Sequence, residues 1–145
     1  MASVKQATVV WSGEGLKFQA KASTGYSFAM QAPADENGAT PMEYLLAGVA
    51  GCTAMDVVSI LQKKRQKISG VEVQISGTQA ETPPNVYTDA TVTYIVRGEN
   101  VDPEAVARAI ELSETKYCSA SAMFQRAGTR IVTQYLIEES TAAPA

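Results

Sequence analysis

Hydrophobic positions along the chain follow two rhythms. In six stretches apolar and polar residues alternate or β-branched residues crowd together, as in half-buried strands. Val4 to Trp11 is β-branched and closes on an aromatic, and Ser12-Gly13-Glu14-Gly15 reads as a turn. Leu16, Phe18 and Ala20 then alternate with Lys17, Gln19 and Lys21. After a second turn at Thr24-Gly25, Tyr26, Phe28 and Met30 continue the alternation, so the first three stretches predict a small antiparallel meander. Further on, Val71, Val73 and Ile75 alternate with Glu72, Gln74 and Ser76. Val86 to Arg97 predicts a long strand with Ala90, Val92, Tyr94 and Val96 on one face, and Ile131 to Glu138 a last strand.

The other rhythm is helical and dominates Thr40 to Gln66. Thr40 suits the cap, Pro41 the first helical position, and Glu43 completes a capping box. From Met42 to Leu61 the residues are apolar or small except Glu43, Thr53, Asp56 and Ser59. A helix apolar on most of its circumference is expected to be buried on most of it. Asp56 inside the run, and the lack of a second such run, argue against a membrane span. Ala47, Gly48, Ala50, Gly51 and Ala54 let another backbone approach closely. One chain this size has little to surround such a helix, which points to a second copy of it from a second subunit. A shorter helix is capped by Asp102 with Pro103 at its first position, carries Val106, Ala109, Ile110 and Leu112 as its stripe, and runs to about Tyr117. Cys118 follows where that pattern fades, Met123 and Phe124 suggest a short helical turn, and Ser140 to Ala145 reads as a frayed tail. The expected class is α+β, a single domain over residues 1–145, with antiparallel strand clusters around a long buried helix.

Composition removes several chemistries. At 46% hydrophobic, 19% charged and net charge −3, the 145 residues lack the concentrated positive charge of a nucleic-acid footprint. There is no histidine, which removes Ser–His and Cys–His catalysis and most zinc and iron sites. The N-terminus lacks the apolar core of a signal peptide, so a cytoplasmic protein is expected. In that compartment a permanent disulfide between the only two cysteines, Cys52 and Cys118, is not expected. Cys52 packs as a small hydrophobe on one reading, and on the other shares a polar-edged helix face with Asp56 and Ser59. Cys118 reads either as a half-buried loop residue or as a reactive thiol, and spacing does not say whether the two sulfurs meet.

The blocks PMEYLLAGVAGC and TAMDVVSILQKKRQ resemble the cysteine helix of the OsmC/Ohr family, and KYCSASAMF resembles that family's second cysteine segment. VVWSGEGLKF and the strand around PPNVYTDATVTYIVRG also fit, so the resemblance covers nearly the whole chain. It implies an OsmC-like α+β fold and an intertwined homodimer with the long helices at its centre. It also implies a thiol-dependent peroxidase without metal or flavin, in which Cys52 attacks an organic hydroperoxide and becomes a sulfenic acid. Cys118 then resolves it as a disulfide, and a thiol or dihydrolipoyl reductant restores the pair. Family members add a glutamate directly after the proline and an arginine in the N-terminal strands, to favour the thiolate. Here Met42 follows the proline, and Glu43 comes one residue late. Nine residues at about 100° each put Glu43 opposite Cys52 on a straight helix, so capping is its first reading. The N-terminal strands hold no arginine. Lys17 or Lys21 is a weaker substitute without the planar fork of donors, and Arg65 and Arg126 are outside candidates. These departures keep a rival open: a dimeric small-molecule or acyl-group binding protein on the same scaffold. Neither reading involves nucleic acid or a membrane.

Overall fold

The computed structural model describes residues 2–140; of the expected tail, 141–145 lie outside the described residues. The chain packs as two compact units, one through Leu45 and one from Leu46 onward.

The first unit is the predicted meander. Strands β1 (Ala7–Trp11), β2 (Lys17–Ala22) and β3 (Ser27–Gln31) pair antiparallel in that order. Their register puts Val9, Ala20 and Phe28 in one row and Trp11, Phe18 and Met30 in the next, so one face is apolar throughout. Lys17 and Lys21 point to the other. The β1–β2 turn needs positive φ at Gly13 and Gly15, and the Trp11 indole N–H donates to the Gly15 carbonyl (2.8 Å). Much of the apolar face lacks cover: Trp11 is 58% exposed. An open hollow of about 370 Å³ lies along Val9, Leu16, Phe18, Met30 and Pro41.

Helix α1 (Pro41–Lys63) starts as its sequence predicts. The Thr40 N–H donates to Glu43 Oε1 (3.0 Å), and the Glu43 N–H donates to Thr40 Oγ1 (3.2 Å), the reciprocal bonds of a capping box. It ends at Arg65, whose φ of 57° is left-handed and lets the Gln66 N–H reach back to the Leu61 carbonyl (3.0 Å). Arg65 therefore has a local structural task. Burial departs from expectation. Only Val49, Ala50, Thr53, Val57 and Leu61 are buried, while Met55 is 75% exposed. The helix is apolar on more faces than its own chain covers. By length and composition alone it is also apolar enough to cross a membrane.

In the second unit β4 (Lys67–Gln79) pairs antiparallel with β5 (Tyr87–Glu99), and β5 pairs in parallel with β6 (Arg130–Glu139). The expectation of purely antiparallel clusters is thus corrected at β6. The chain between β5 and β6 is a helical crossover, which carries it back to the start of β5 before the last strand begins. That crossover is α2 (Pro103–Leu112), a π-helical turn (Ser113–Tyr117) and α3 (Ser119–Arg126). The helix expected to end near Tyr117 does end there, but its last turn is π. Asp102 caps α2 by accepting from the Glu104 N–H (3.0 Å). Val57 and Leu61 of α1, Val92, Tyr94 and Val96 of β5, and Val106, Ala109 and Ile110 of α2 make the core. Glycine is obligatory at Gly98, where an added Cβ would stand 2.2 Å from the Lys67 carbonyl oxygen.

Leu61 is wholly buried in this core, so Leu61→Ala is expected to cost about 2–5 kcal/mol in urea unfolding. Truncating Leu61 for less than about 1 kcal/mol would show that the second unit's core is not organised around α1.

Candidate functional site

The fold brings the two cysteines together. Cys52 lies midway along α1 and is partly exposed, while Cys118 is 3% exposed between the π turn and α3. The thiols are close enough that Cys52 acts on Cys118 through hydrogen bonding and charge. Both are free. The π turn sets the position of Cys118: its own N–H closes the turn on the Ser113 carbonyl (2.8 Å). Cys118 then caps α3, its sulfur accepting from the Ser121 N–H (3.3 Å).

Burial pushes the Cys118 thiol up to about 12; the Ser121 N–H works against this, while Cys52 and Glu114 add to it. At a helix N-terminus a thiolate would ordinarily be favoured. Here loss of water outweighs that, and Cys118 is a thiol at neutral pH.

A hydrogen-bonded run of side chains borders the thiol pair. Ser113 Oγ donates to Asp56 Oδ2 (2.9 Å). Thr53 Oγ1 lies 2.7 Å from Ser113 Oγ and 2.7 Å from the Tyr94 hydroxyl. The Tyr94 hydroxyl donates to Glu114 Oε1 (3.2 Å), and Ser121 Oγ donates to Glu114 Oε2 (2.7 Å). Gln125 Nε2 closes the end on Ser121 Oγ (2.9 Å). Burial raises the Tyr94 phenol well above its ordinary range, Thr53 lowering it again and Glu114 adding to the rise.

Of the residues singled out in the sequence, Asp56 joins this network. Ser59 is exposed and lines an open hollow of about 400 Å³ with Asp56, Lys63, Lys64 and Tyr117. Glu43 spends its Oε1 on Thr40. Lys17 is an exposed strand lysine 3.8 Å from Glu14. Sequence reasoning missed Thr53, Tyr94, Ser113, Glu114 and Ser121. Thr53 carried a signal, as a hydroxyl inside an apolar run. Tyr94 was counted only as apolar, and nothing in SETKY announces a π turn.

The family model described as OsmC-like protein matches residues 34–134. The chain belongs to the OsmC-like family. It is 39% identical to Protein YhfA of Escherichia coli K12 over 122 residues, 84% of this chain and 90% of that one. Among solved structures, a hypothetical protein from Aquifex aeolicus aligns with a TM-score of 0.85 at 29% identity, covering 96% and 99% of the two chains. An organic hydroperoxide resistance protein from Elizabethkingia anophelis shares the fold, with a TM-score of 0.71 over 95% of this chain and 99% of that one, at 15% identity.

Two outcomes follow for this family member. Glutamine can make the same return bond to Thr40, so Glu43→Gln should leave stability nearly unchanged, while Glu43→Ala should lose about 0.5–2 kcal/mol. Thermal unfolding of both variants checks this, and a large loss in Glu43→Gln would mean that the charge itself is needed. Cys118 holds its proton to about 12 when folded, against an ordinary 9.0. The folded state therefore binds more protons than the unfolded state between these values, and stability falls as pH rises from about 9 upward. Cys118→Ser should flatten that decline between about pH 9 and about pH 12 in urea midpoints. An equally steep decline in the variant would show that Cys118 does not cause it.

Proposed function

We propose that the chain is a cysteine-based peroxidase that reduces organic hydroperoxides with Cys52 as the attacking sulfur and Cys118 as the resolving one. The observation that carries this reading is that two cysteines far apart in sequence are neighbours in space, with both sulfurs free. Cys118 stays protonated at neutral pH, which leaves the partly exposed Cys52 as the nucleophile. The sulfenic acid formed on Cys52 then has the Cys118 thiol beside it, and condensation gives one disulfide and water. An external thiol or dihydrolipoyl donor reopens the disulfide. Family membership and the organic hydroperoxide resistance protein of the same fold support the choice of oxidant.

We further propose that the working unit is a cytoplasmic homodimer, intertwined about α1. Val9, Val10, Trp11 and Leu16 of the first unit and Met55 of α1 are each more than half exposed, a larger apolar surface than a monomer of this size ordinarily carries. A second copy, rather than a membrane, is read as the cover. Sedimentation at low micromolar concentration should show a dimer that separates only on unfolding, and a folded monomer would reject it.

One observation favours the rival reading, a dimeric binding protein for a small molecule or acyl group: the residues expected to assist Cys52 are engaged elsewhere, Lys17 with Glu14 and Glu43 with Thr40. One experiment separates the two. After one equivalent of cumene hydroperoxide, peptide mapping without reductant should find a Cys52–Cys118 disulfide within each chain. Cys118→Ser should stop at sulfenic acid, and Cys52→Ser should leave Cys118 unreacted. Both thiols still free after excess oxidant would favour the binding protein.

A further inference from the structure

The side chains bordering the thiols do not contain enough protons for the contacts they make. Asp56, Ser113, Thr53, Tyr94 and Glu114 follow one another through four links of 2.9, 2.7, 2.7 and 3.2 Å. Each link needs one proton, and a hydroxyl has one to give while a carboxylate has none. Ser113 donates to Asp56 and Tyr94 donates to Glu114. Thr53 would then have to donate to both Ser113 and Tyr94 with a single hydrogen. Three hydroxyl protons serve four links. Thr53 and Ser113 are fully buried, so water does not fill the gap at the middle of the run.

We propose that Asp56 and Glu114 share a fourth proton through this run, which makes Asp56–Ser113–Thr53–Tyr94–Glu114 a proton relay beside the thiol pair. With the proton on Asp56 every bond points towards Glu114; with the proton on Glu114 every bond points towards Asp56. The two arrangements interconvert by one hop along each link. Both ends reach the outside. Asp56 lines the hollow with Lys63 and Lys64, and Glu114 lines a second hollow, of about 450 Å³, with Glu111, Thr133 and Tyr135. The titratable groups around the run are Cys52, Asp56, Lys63 and Lys64 on α1, Tyr94 on β5, Glu111, Glu114, Tyr117 and Cys118 on the crossover, and Tyr135 on β6.

The use of the relay rests on the peroxidase reading; the proton count does not. When an external thiolate attacks Cys52 in the disulfide, a new S–S bond forms to Cys52 and the Cys52–Cys118 bond breaks. Cys118 leaves with the electron pair and must take up a proton in a buried position. Ser121 joins the two systems, its N–H on Cys118 Sγ and its hydroxyl on Glu114. The Ser121 N–H stabilises the leaving thiolate but passes no proton on, so the relay acts through charge: a proton on Glu114 removes the carboxylate charge beside Cys118 while the thiolate takes its proton from solvent, and the run refills at either carboxyl.

Infrared difference spectroscopy on the reduced full-length protein at neutral pH tests this without any turnover. One protonated carboxyl band per chain is expected, shifting in deuterated water, and lost in both Asp56→Asn and Glu114→Gln. Thr53→Val is the sharper variant, because it keeps the shape and removes neither carboxyl. It leaves Ser113 paired with Asp56 and Tyr94 with Glu114, two complete bonds that need no extra proton, so the band should vanish here as well. No carboxyl band in the unaltered protein, or a band that survives all three substitutions, overturns the relay. If the band behaves as expected but no disulfide forms with hydroperoxide, the peroxidase reading fails and the shared proton stands. If the disulfide forms but the band is absent, the relay fails and the peroxidase reading stands.

Discussion

The buried hydroxyl of Thr53 constrains everything near the cysteines. A buried hydroxyl without a partner costs about 1–3 kcal/mol, and Thr53 finds both of its partners on elements distant in sequence. Tyr94 comes from the middle of β5 and Ser113 from the start of the π turn, each 2.7 Å away. These bonds fix the rotation of α1 against the sheet and the crossover, a setting that apolar contacts at Val57 and Leu61 alone would leave free to slip. Ser113 acts twice. Its side chain holds Thr53, next to Cys52 in sequence, and its carbonyl accepts from the Cys118 N–H. The two sulfurs meet because one residue anchors the neighbours of both.

The fold was legible where one periodicity acts alone. The meander, the capping box of α1, the Asp102 cap and the inward face of β5 all follow from local pattern, because local bonds decide them. The parallel pairing of β6 was not legible. It depends on where the crossover returns the chain, and strand residues do not record direction. The π turn was hidden for a similar reason: SETKY reads as ordinary helix ending, and its fifth-neighbour bond forms only when Ser113 and Glu114 are drawn inward by Thr53, Tyr94 and Ser121. The cysteines were legible as candidates, but their meeting is a tertiary fact. The assisting residues expected near the N-terminus are engaged locally, Glu43 with Thr40 and Lys17 with Glu14.

α1 carries more apolar surface than one chain uses. Burial at Val49, Ala50, Thr53, Val57 and Leu61 traces a stripe, whereas Met55, Leu45 and the small Ala47 and Gly48 face outward. A monomer gains nothing from such a surface and risks aggregation through it. The same holds for β1, whose five residues are all exposed although the strand is apolar in composition. Both surfaces are the ones that the proposed second copy would cover. The small residues then have a reason that helix propensity does not give them, since glycine inside a helix costs about 1 kcal/mol relative to alanine.

The two thiols differ in environment rather than in type, and in the proposed chemistry that difference sets the order. A cation beside the attacking sulfur is the usual way to separate a reactive cysteine from a resting one. On the proposed peroxidase reading the separation comes from the resting side. Cys118 sits at the N-terminus of α3, where backbone N–H groups favour a thiolate, yet burial and the nearby Glu114 carboxylate prevail and its proton stays on. A buried thiol of this kind makes a poor nucleophile towards an incoming peroxide but is well placed for a sulfur already oxidised beside it, since that encounter requires no diffusion. On that reading the Glu114 carboxyl beside Cys118 suits a thiol that keeps its proton until its partner has reacted.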